Sequence, residues 1–226
     1  MKEKKPRLLT QAIIKFLCGI VSIGALIFIP AGTLRFWNGW LLISMLFVPM
    51  FLLGIFLFLK NKDMLQKRLS NREKETSQKL VILFSLIMFI AGFIVAGLDF
   101  RFGWTQMPPY LVIAGEILLL ISYGLYVETI RENAYISRTV EIQKDQKVVS
   151  TGLYGIVRHP MYTTTILLFL SFPIVLGSWI SFAIFLIYPF LLVKRIHNEE
   201  EVLEKGLESY SKYKKKVKYR IIPFFW

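Results

Sequence analysis

Long apolar runs limit the possible folds of this chain more than any other feature. Residues 11–29, 36–59, 80–98 and 110–130 carry few charges. Each is long enough to cross a bilayer core of about 30 Å as a helix, which takes roughly 20 residues. Main-chain polar groups cannot stay unpaired in hydrocarbon, so runs of this length must be helical. With 55% hydrophobic and only 19% charged residues, the chain is predicted to be an all-α integral membrane protein.

The last apolar region, residues 162–193, has a different pattern. Pro173, the segment "LGSW" at 176–179 and Pro189 divide it into two short pieces, because proline interrupts a helix interior. We therefore predict a helical hairpin that turns near Gly177. The predicted fold is four full transmembrane helices followed by this hairpin, which makes six hydrophobic helices.

The predicted helices divide the chain near residue 130. Residues 1–130 hold the four full spans, and residues 131–226 hold the hairpin and a C-terminal region on the membrane surface. Between about 196 and 216, charged and apolar residues recur at helical spacing. This pattern predicts an amphipathic helix that lies along the membrane.

Positive charge is distributed unevenly along the chain. Of the 28 Lys and Arg residues, 25 lie in the N-terminal tail or in residues 60–79, 131–161 and 194–226. Because cytoplasmic loops retain Lys and Arg, these segments and both termini are predicted to be cytoplasmic, in a bacterial-type plasma membrane. Anionic membrane lipids then explain the net charge of +13. No basic patch lies outside these segments, so we expect no nucleic-acid partner.

Residues 60–79 are expected to be a solvated loop or surface helix.

Common catalytic motifs are missing from the sequence. A single cysteine, Cys18, excludes an internal disulfide and a cysteine-based zinc cluster, and we expect no metal site. The chain also has no GxSxG, HExxH or phosphate-binding glycine loop. Any chemistry must therefore depend on other polar residues near the membrane surface.

The first polar cluster is "TGLYGIVRHPMY", residues 151–162. Pro160 suits the first position of a helix, which places His159 at or near the N-cap. Helix N-termini attract anions, so this segment is a candidate site for a carboxylate. The alternative is that Arg158 and His159 only anchor a helix end at the membrane interface.

The second cluster is "KRIHNEEE", residues 194–201. Arg195 and Glu199 are four residues apart and share one helix face. A charged surface helix is the simpler interpretation of this cluster. The hairpin, however, should return the chain to the same membrane face. Arg158, His159 and Tyr162 can then lie close to Arg195 and Glu199.

Together these motifs resemble one enzyme family. The order is "GLYGIVRHPMY", an apolar hairpin, "R-x-x-x-E-E-x-x-L" at Arg195 to Leu203, and "Y-x-x-Y-K-K-K-V" ending at Val217. This order is similar to the isoprenylcysteine carboxyl methyltransferase family, within a wider group that includes phospholipid N-methyltransferases. The resemblance covers roughly residues 131–226.

The resemblance implies an S-adenosyl-L-methionine cofactor bound on the cytoplasmic side and a prenylated or otherwise lipophilic substrate reached from the membrane. It assigns Arg195 to the substrate carboxylate. It places cofactor contacts at Gln146, Lys147, Val148, Val149, Tyr154, His159, Pro160, Met161, Tyr162 and Glu199. The chain departs from the family at Gln146, where histidine is frequent, and at Leu153, where bacterial relatives usually have proline. The segment between Leu203 and Tyr210 is also one residue shorter than in eukaryotic relatives.

This chemistry fits the residues present. A carboxylate is already an anionic nucleophile, so methyl transfer to it needs positioning and desolvation but no general base. A phospholipid amine or a small lipophilic thiol is the alternative acceptor. A sterol-reductase-like enzyme with a nicotinamide cofactor and a noncatalytic scaffold or transporter are alternative functions. Glu116 and Glu128 lie in or near the fourth span. Glu116 is expected to have a structural pairing, and Glu128 is expected to reach water near the cytoplasmic end.

Overall fold

The computed structural model describes residues 8–69, 76–136, 142, 143 and 145–226. Regular secondary structure in these residues is helical, which confirms the predicted fold class. The helices are α1 (Leu8–Ala31), α2 (Trp37–Lys60), α3 (Lys62–Leu69), α4 (Thr76–Phe102), α5 (Pro109–Glu132), a 3-10 helix (Gly152–Gly155), α6 (Pro160–Leu176), α7 (Trp179–Phe185), α8 (Tyr188–Gly206) and α9 (Tyr210–Lys216).

Five helical stretches within the described residues are long and apolar enough to cross a membrane. They are α1, α2, Gln78–Phe102 of α4, α5, and α7 with α8 (Trp179–Gly206), whereas α6 is a shorter apolar helix. The outer faces of these helices expose large apolar side chains, such as Ile29 and Phe190, which are 75% and 76% exposed. Contact between these apolar side chains and water is unfavourable, whereas contact with lipid tails is not. The chain is therefore a multi-pass membrane protein.

The hairpin turns at the glycine that the sequence indicates. α6 ends at Leu176, and Gly177 is its C-cap with φ of +77°, a conformation that favours glycine. Ser178 then caps α7, because its hydroxyl accepts a hydrogen bond from the N–H of Ser181 at 3.1 Å.

The second leg of the hairpin is longer than expected. It is interrupted only at residues 186 and 187, and α8 then continues to Gly206. Pro189 lies in the first turn of α8, where its missing N–H costs nothing, so it starts this helix and does not end the leg. The expected single amphipathic helix over about 196–216 is consequently divided between the end of α8 and α9.

An aromatic cluster packs the hairpin against α4. Phe93 of α4 lies 6.0 Å from Phe172 of α6 and 5.7 Å from Phe185 of α7, measured between ring centroids. Gly92 allows this approach, because a Cβ there would lie 2.3 Å from the Phe185 ring. The packing fixes both legs of the hairpin side by side, so that the start of α6 and the polar half of α8 meet.

α3 differs from the expected solvated loop or surface helix. Met64 and Leu65 are buried, at 3% and 7% exposure, in a cluster with Leu57 of α2 and Ile130 of α5. α3 is therefore part of the packed structure. Residues 70–75 of the same connection lie outside the described residues.

Two carboxylates in the membrane helices have structural partners. Asp99 is 1% exposed and accepts hydrogen bonds from the N–H and hydroxyl of Thr105 and from the hydroxyl of Ser178. These bonds connect the end of α4 to the hairpin turn. Glu128, near the end of α5, pairs with Arg131 at 2.6 Å and stays partly exposed.

Candidate active site

A cavity of about 1020 Å³ lies between the membrane helices, α3, the loop before α6 and α9. Its polar end gathers residues that are far apart in the sequence but were predicted as one site. These are Gln146, Lys147, Val148, Val149, Tyr154, His159, Met161, Tyr162, Arg195 and Glu199. Pro160 is the exception, because it is buried at the first turn of α6 and does not line the cavity.

The start of α6 is held in place partly by the C-terminal segment, residues 217–226, which follows α9. His159 is the N-cap residue, as its position before Pro160 predicts. The N–H groups of Arg158 and His159 donate to the carbonyls of Tyr219 and Arg220 at 2.9 and 2.8 Å. These two N–H groups are thus used inside the protein. A ligand carboxylate at this helix start therefore has to be held by donors other than these two N–H groups.

Glu200 is the centre of a buried ionic network. Its carboxylate accepts from Arg158 Nε at 2.7 Å and from Arg220 Nε at 3.2 Å, and His159 Nε2 lies at 3.3 Å. Arg158 also donates to the carbonyls of Val217 and Lys218, at 2.8 Å each. Arg158 and Glu200 are 7% and 3% exposed, so each charge needs the other. The network joins α6, α8 and the C-terminal segment.

Sequence reasoning did not assign Glu200 to the site. The run Glu199 to Glu201 drew attention to this part of α8, but helical spacing from Arg195 favoured Glu199. The structure separates the roles of the neighbours, since Glu199 faces the cavity and Glu200 faces Arg158.

A second polar chain crosses the cavity wall between α6 and α8. The hydroxyl of Tyr162 donates to Glu199, and Arg195 Nε donates to the same hydroxyl at 2.9 Å. The Arg195 guanidinium also lies 5.9 Å from the centre of the Tyr162 ring. Tyr162 therefore links the Glu199 carboxylate to the Arg195 guanidinium, and all three side chains are only partly exposed.

The cavity becomes apolar beyond this chain. One turn deeper on each hairpin leg, Thr165 and Leu192 line it, and the hydroxyl of Tyr188 lies 3.4 Å from that of Thr165. The apolar walls come from α1, α2, α4 and α6, with Phe16, Leu46, Met50, Leu53, Leu86, Phe89, Leu168 and Phe169 among them. Such walls suit a hydrocarbon chain.

Three tyrosines from the polar end complete the wall. Tyr213 donates its hydroxyl to the carbonyl of Tyr154 at 2.7 Å. Burial raises the pKa of Tyr154 and of Tyr213, so both phenols stay protonated and can donate hydrogen bonds at neutral pH. Tyr210 is 3% exposed, lines the cavity, and its hydroxyl has no partner among the described residues. Buried hydroxyls normally have a hydrogen-bond partner, so a polar ligand fits this position.

The loop before α6 is held by one carboxylate. Glu132, at the end of α5, accepts the N–H of Leu153 at 2.8 Å. Gly152 has φ of +50°, and a Cβ there would lie 1.3 Å from an oxygen of Glu132. This contact positions Tyr154, and Gly152 is required for it.

We expect Gly152→Ala to destabilise the folded protein by about 1–3 kcal/mol, because alanine is strained at positive φ and displaces the Glu132 carboxylate. Gly124→Ala in α5 is the control, since a Cβ there meets nothing within 4 Å. Thermal unfolding of the purified variants measures both effects. Equal unfolding temperatures would contradict the role of Gly152.

Comparison with known proteins relates part of the chain to a methyltransferase family and to a reductase. Residues 110–210 match the family model described as phospholipid methyltransferase. A stretch of 91 residues is 31% identical to mouse Delta(14)-sterol reductase TM7SF2, and covers 39% of this chain but only 22% of that protein. The family match spans α5 to α8 and contains all the predicted site residues.

Proposed function

We propose that this protein is a membrane methyltransferase that uses S-adenosyl-L-methionine, in keeping with the match of residues 110–210 to the phospholipid methyltransferase family model. Its acceptor is the carboxylate of a lipophilic molecule, such as a prenylated cysteine. The observation that carries this proposal is a cavity whose polar end and apolar interior meet at Arg195, Tyr162 and Glu199. A hydrophilic methyl donor and a lipophilic methyl acceptor can thus lie in the same cavity.

The polar end supports the choice of cofactor. S-adenosyl-L-methionine supplies an electrophilic methyl group and carries an ammonium, a carboxylate and ribose hydroxyls. Glu199 can accept hydrogen bonds from the ammonium or the hydroxyls, and the buried hydroxyl of Tyr210 can bond to the same ligand. The rings of Tyr154 and Tyr162 supply flat surfaces for packing.

Arg195 supports a carboxylate acceptor. A guanidinium can hold a carboxylate by two parallel hydrogen bonds, in a geometry that lysine cannot match. Tyr162 keeps Arg195 at the boundary with the apolar cavity, where the head group of a lipophilic acceptor would lie. The acceptor oxygen is already anionic, so holding it in line and excluding water suffice for transfer. The Lys and Arg distribution supports a cytoplasmic position for this end.

The second candidate function is a reductase with a nicotinamide cofactor. It is favoured by the 31% identity with a sterol reductase, but the matched stretch is a small part of that enzyme. An amine or thiol acceptor of the methyl group is the other alternative. An amine would also have to lose a proton, which would give Glu199 or His159 a catalytic role.

A binding titration separates these functions. We expect the detergent-purified protein to bind S-adenosyl-L-methionine saturably and NADPH weakly or not at all. Absence of binding to S-adenosyl-L-methionine would refute the proposal. With a labelled methyl donor, N-acetyl-S-farnesyl-L-cysteine should accept the label, whereas its methyl ester should not. Labelling of phosphatidylethanolamine or a long-chain thiol in its place would favour the alternative acceptors.

A further inference from the structure

The C-terminal segment lies beside two helices at the level where each changes from polar to apolar sequence. In α6, the hydroxyl of Thr163 donates to the carbonyl of Ile221 at 2.7 Å, and the rest of this helix after its three threonines is almost entirely apolar. In α8, the ring of His197 lies 6.1 Å from that of Trp226, one turn beyond Val193, where the apolar half of this helix ends. In a multi-pass membrane protein, such a change marks the boundary between hydrocarbon and head groups. The segment therefore lies at that boundary.

The end of the segment is a closed turn that presents two aromatic rings outward. The N–H groups of Phe225 and Trp226 donate to the carbonyl of Ile222 at 3.2 and 3.1 Å. The main-chain oxygen of Trp226 accepts from the N–H groups of residues 220–222 at 2.9, 3.0 and 3.0 Å, and its ring packs against the core. Phe224 and Phe225, in contrast, are 89% and 84% exposed. The turn thus directs two phenyl rings away from the protein at the membrane boundary.

Positive charge lies next to this turn. Residues 210–226 contain five lysines and one arginine, and no aspartate or glutamate. Lys214 pairs with Glu204 at 2.8 Å, and Arg220 pairs with Glu200 at 3.2 Å. The exposed cations of this stretch that have no ion-pair partner among the described residues are Lys215, Lys216 and Lys218. Uncompensated cations beside exposed aromatic rings match a membrane surface that contains anionic lipids.

We propose that this surface binds the membrane leaflet next to the polar end of the cavity. Phe224 and Phe225 insert below the head groups, and the three lysines bind anionic head groups. The position at the membrane boundary favours lipid over a soluble protein partner. Carbonyls of the same segment accept the N–H groups of Arg158 and His159, so contact with the leaflet also helps to hold the start of α6. This contact does not depend on the proposed reaction.

A fluorescent probe can report the insertion. Cys18 is the single cysteine of the chain, so Cys18→Ser allows an environment-sensitive probe to be attached at Phe225→Cys. The full-length protein is placed in bilayer discs of phosphatidylcholine and phosphatidylglycerol, with a spin label on the acyl chain of one lipid. We expect strong quenching at this position, whereas the probe at Glu208→Cys, an exposed position before α9, should stay in water. Equally weak quenching at both positions would overturn the insertion and leave the surface open to a soluble partner.

The same probe tests the lysines. We expect spin-labelled phosphatidylglycerol to quench the probe at Phe225→Cys about 2-fold or more strongly than spin-labelled phosphatidylcholine, because cations near the surface enrich anionic lipid. Replacing the three lysines with glutamine should remove this difference, as should salt at about 1 M, where the Debye length is about 3 Å. The matched control replaces three other exposed lysines with glutamine and should keep the difference. These are Lys60, Lys62 and Lys79.

Equal quenching by the two lipids in the protein with all its lysines would overturn the binding of anionic head groups. Thermal unfolding checks that the labelled variants are folded. Since Phe225 is exposed, Phe225→Cys should unfold like Glu208→Cys. If it unfolds at a far lower temperature, the probe is attached at Ile222→Cys on the same turn, which is 47% exposed, and the same outcomes apply.

Removing the rings tests the effect on α6. Phe224→Ser combined with Phe225→Ser should lower the unfolding temperature of the protein in the discs, because the segment that holds Arg158 and His159 then loses its contact with acyl chains. Loss of two rings that remained in water would have no such effect. An unchanged unfolding temperature would overturn the contribution of the leaflet to holding α6.

Discussion

Replacing Glu200 with alanine is expected to destabilise the protein by about 3–5 kcal/mol, which is the usual cost of removing one partner of a buried ion pair. The variant leaves Arg158 charged at 7% exposure and removes the acceptor for His159 and Arg220. The loss is large compared with a typical folding free energy of about 5–15 kcal/mol. Unfolding by heat or by denaturing detergent measures it.

The control is Glu201→Ala, the same change on the next residue of α8, where the side chain is exposed. We expect this variant to unfold like the unmodified protein. Glu200→Gln should lie between the two, because the amide oxygen can accept one hydrogen bond but cannot neutralise Arg158. If Glu200→Ala were as stable as Glu201→Ala, the network would not hold the C-terminal segment in place.

Glu199→Ala and Arg195→Ala are expected to affect different steps of the proposed reaction. Glu199→Ala should weaken the binding of S-adenosyl-L-methionine by about 10–100-fold, through loss of a charged acceptor. Arg195→Ala should leave that affinity nearly unchanged and lower kcat/KM by about 100-fold or more, because the acceptor carboxylate is no longer held in line. Calorimetric titration and steady-state kinetics with a labelled methyl donor separate the two effects.

Tyr162→Phe tests the link between the two residues. The hydroxyl contacts both Arg195 and Glu199, so its loss should weaken donor binding and turnover together, each less than the corresponding alanine variant. Arg195→Lys should recover little activity, because an ammonium does not reproduce the two-pronged geometry. Loss of donor binding in Arg195→Ala would show that the two roles are not divided in this way.

Much of the candidate site could be predicted from local sequence. Pro160 indicated the start of α6, and the spacing of Arg195 and Glu199 indicated a shared helix face. The prediction that both groups meet depended on the hairpin alone. This reasoning could not assign Glu200, because the partners of that carboxylate, Arg158, Lys214 and Arg220, are distant in the sequence and have no local pattern.

Two other features depend on contacts between distant segments. The N–H groups of Arg158 and His159 bond to residues 219 and 220, which a helix-start pattern cannot reveal. The sequence of α3 is polar and predicts a surface helix, yet Met64 and Leu65 pack against residues of α2 and α5. In both cases residues from distant segments, and not the local sequence, determine which groups are bonded or buried.

The sequence by itself determined the all-α membrane fold, the position of the hairpin turn and the segments that supply the site. These follow from the length of apolar runs and from the backbone limits of proline and glycine, which act over one or two helical turns. Only the tertiary structure decided that Glu200 holds the site together, that the second hairpin leg continues as α8, and that α3 is part of the packed structure. Burial and charge pairing between distant residues decide these features, and they exist only once the helices are packed.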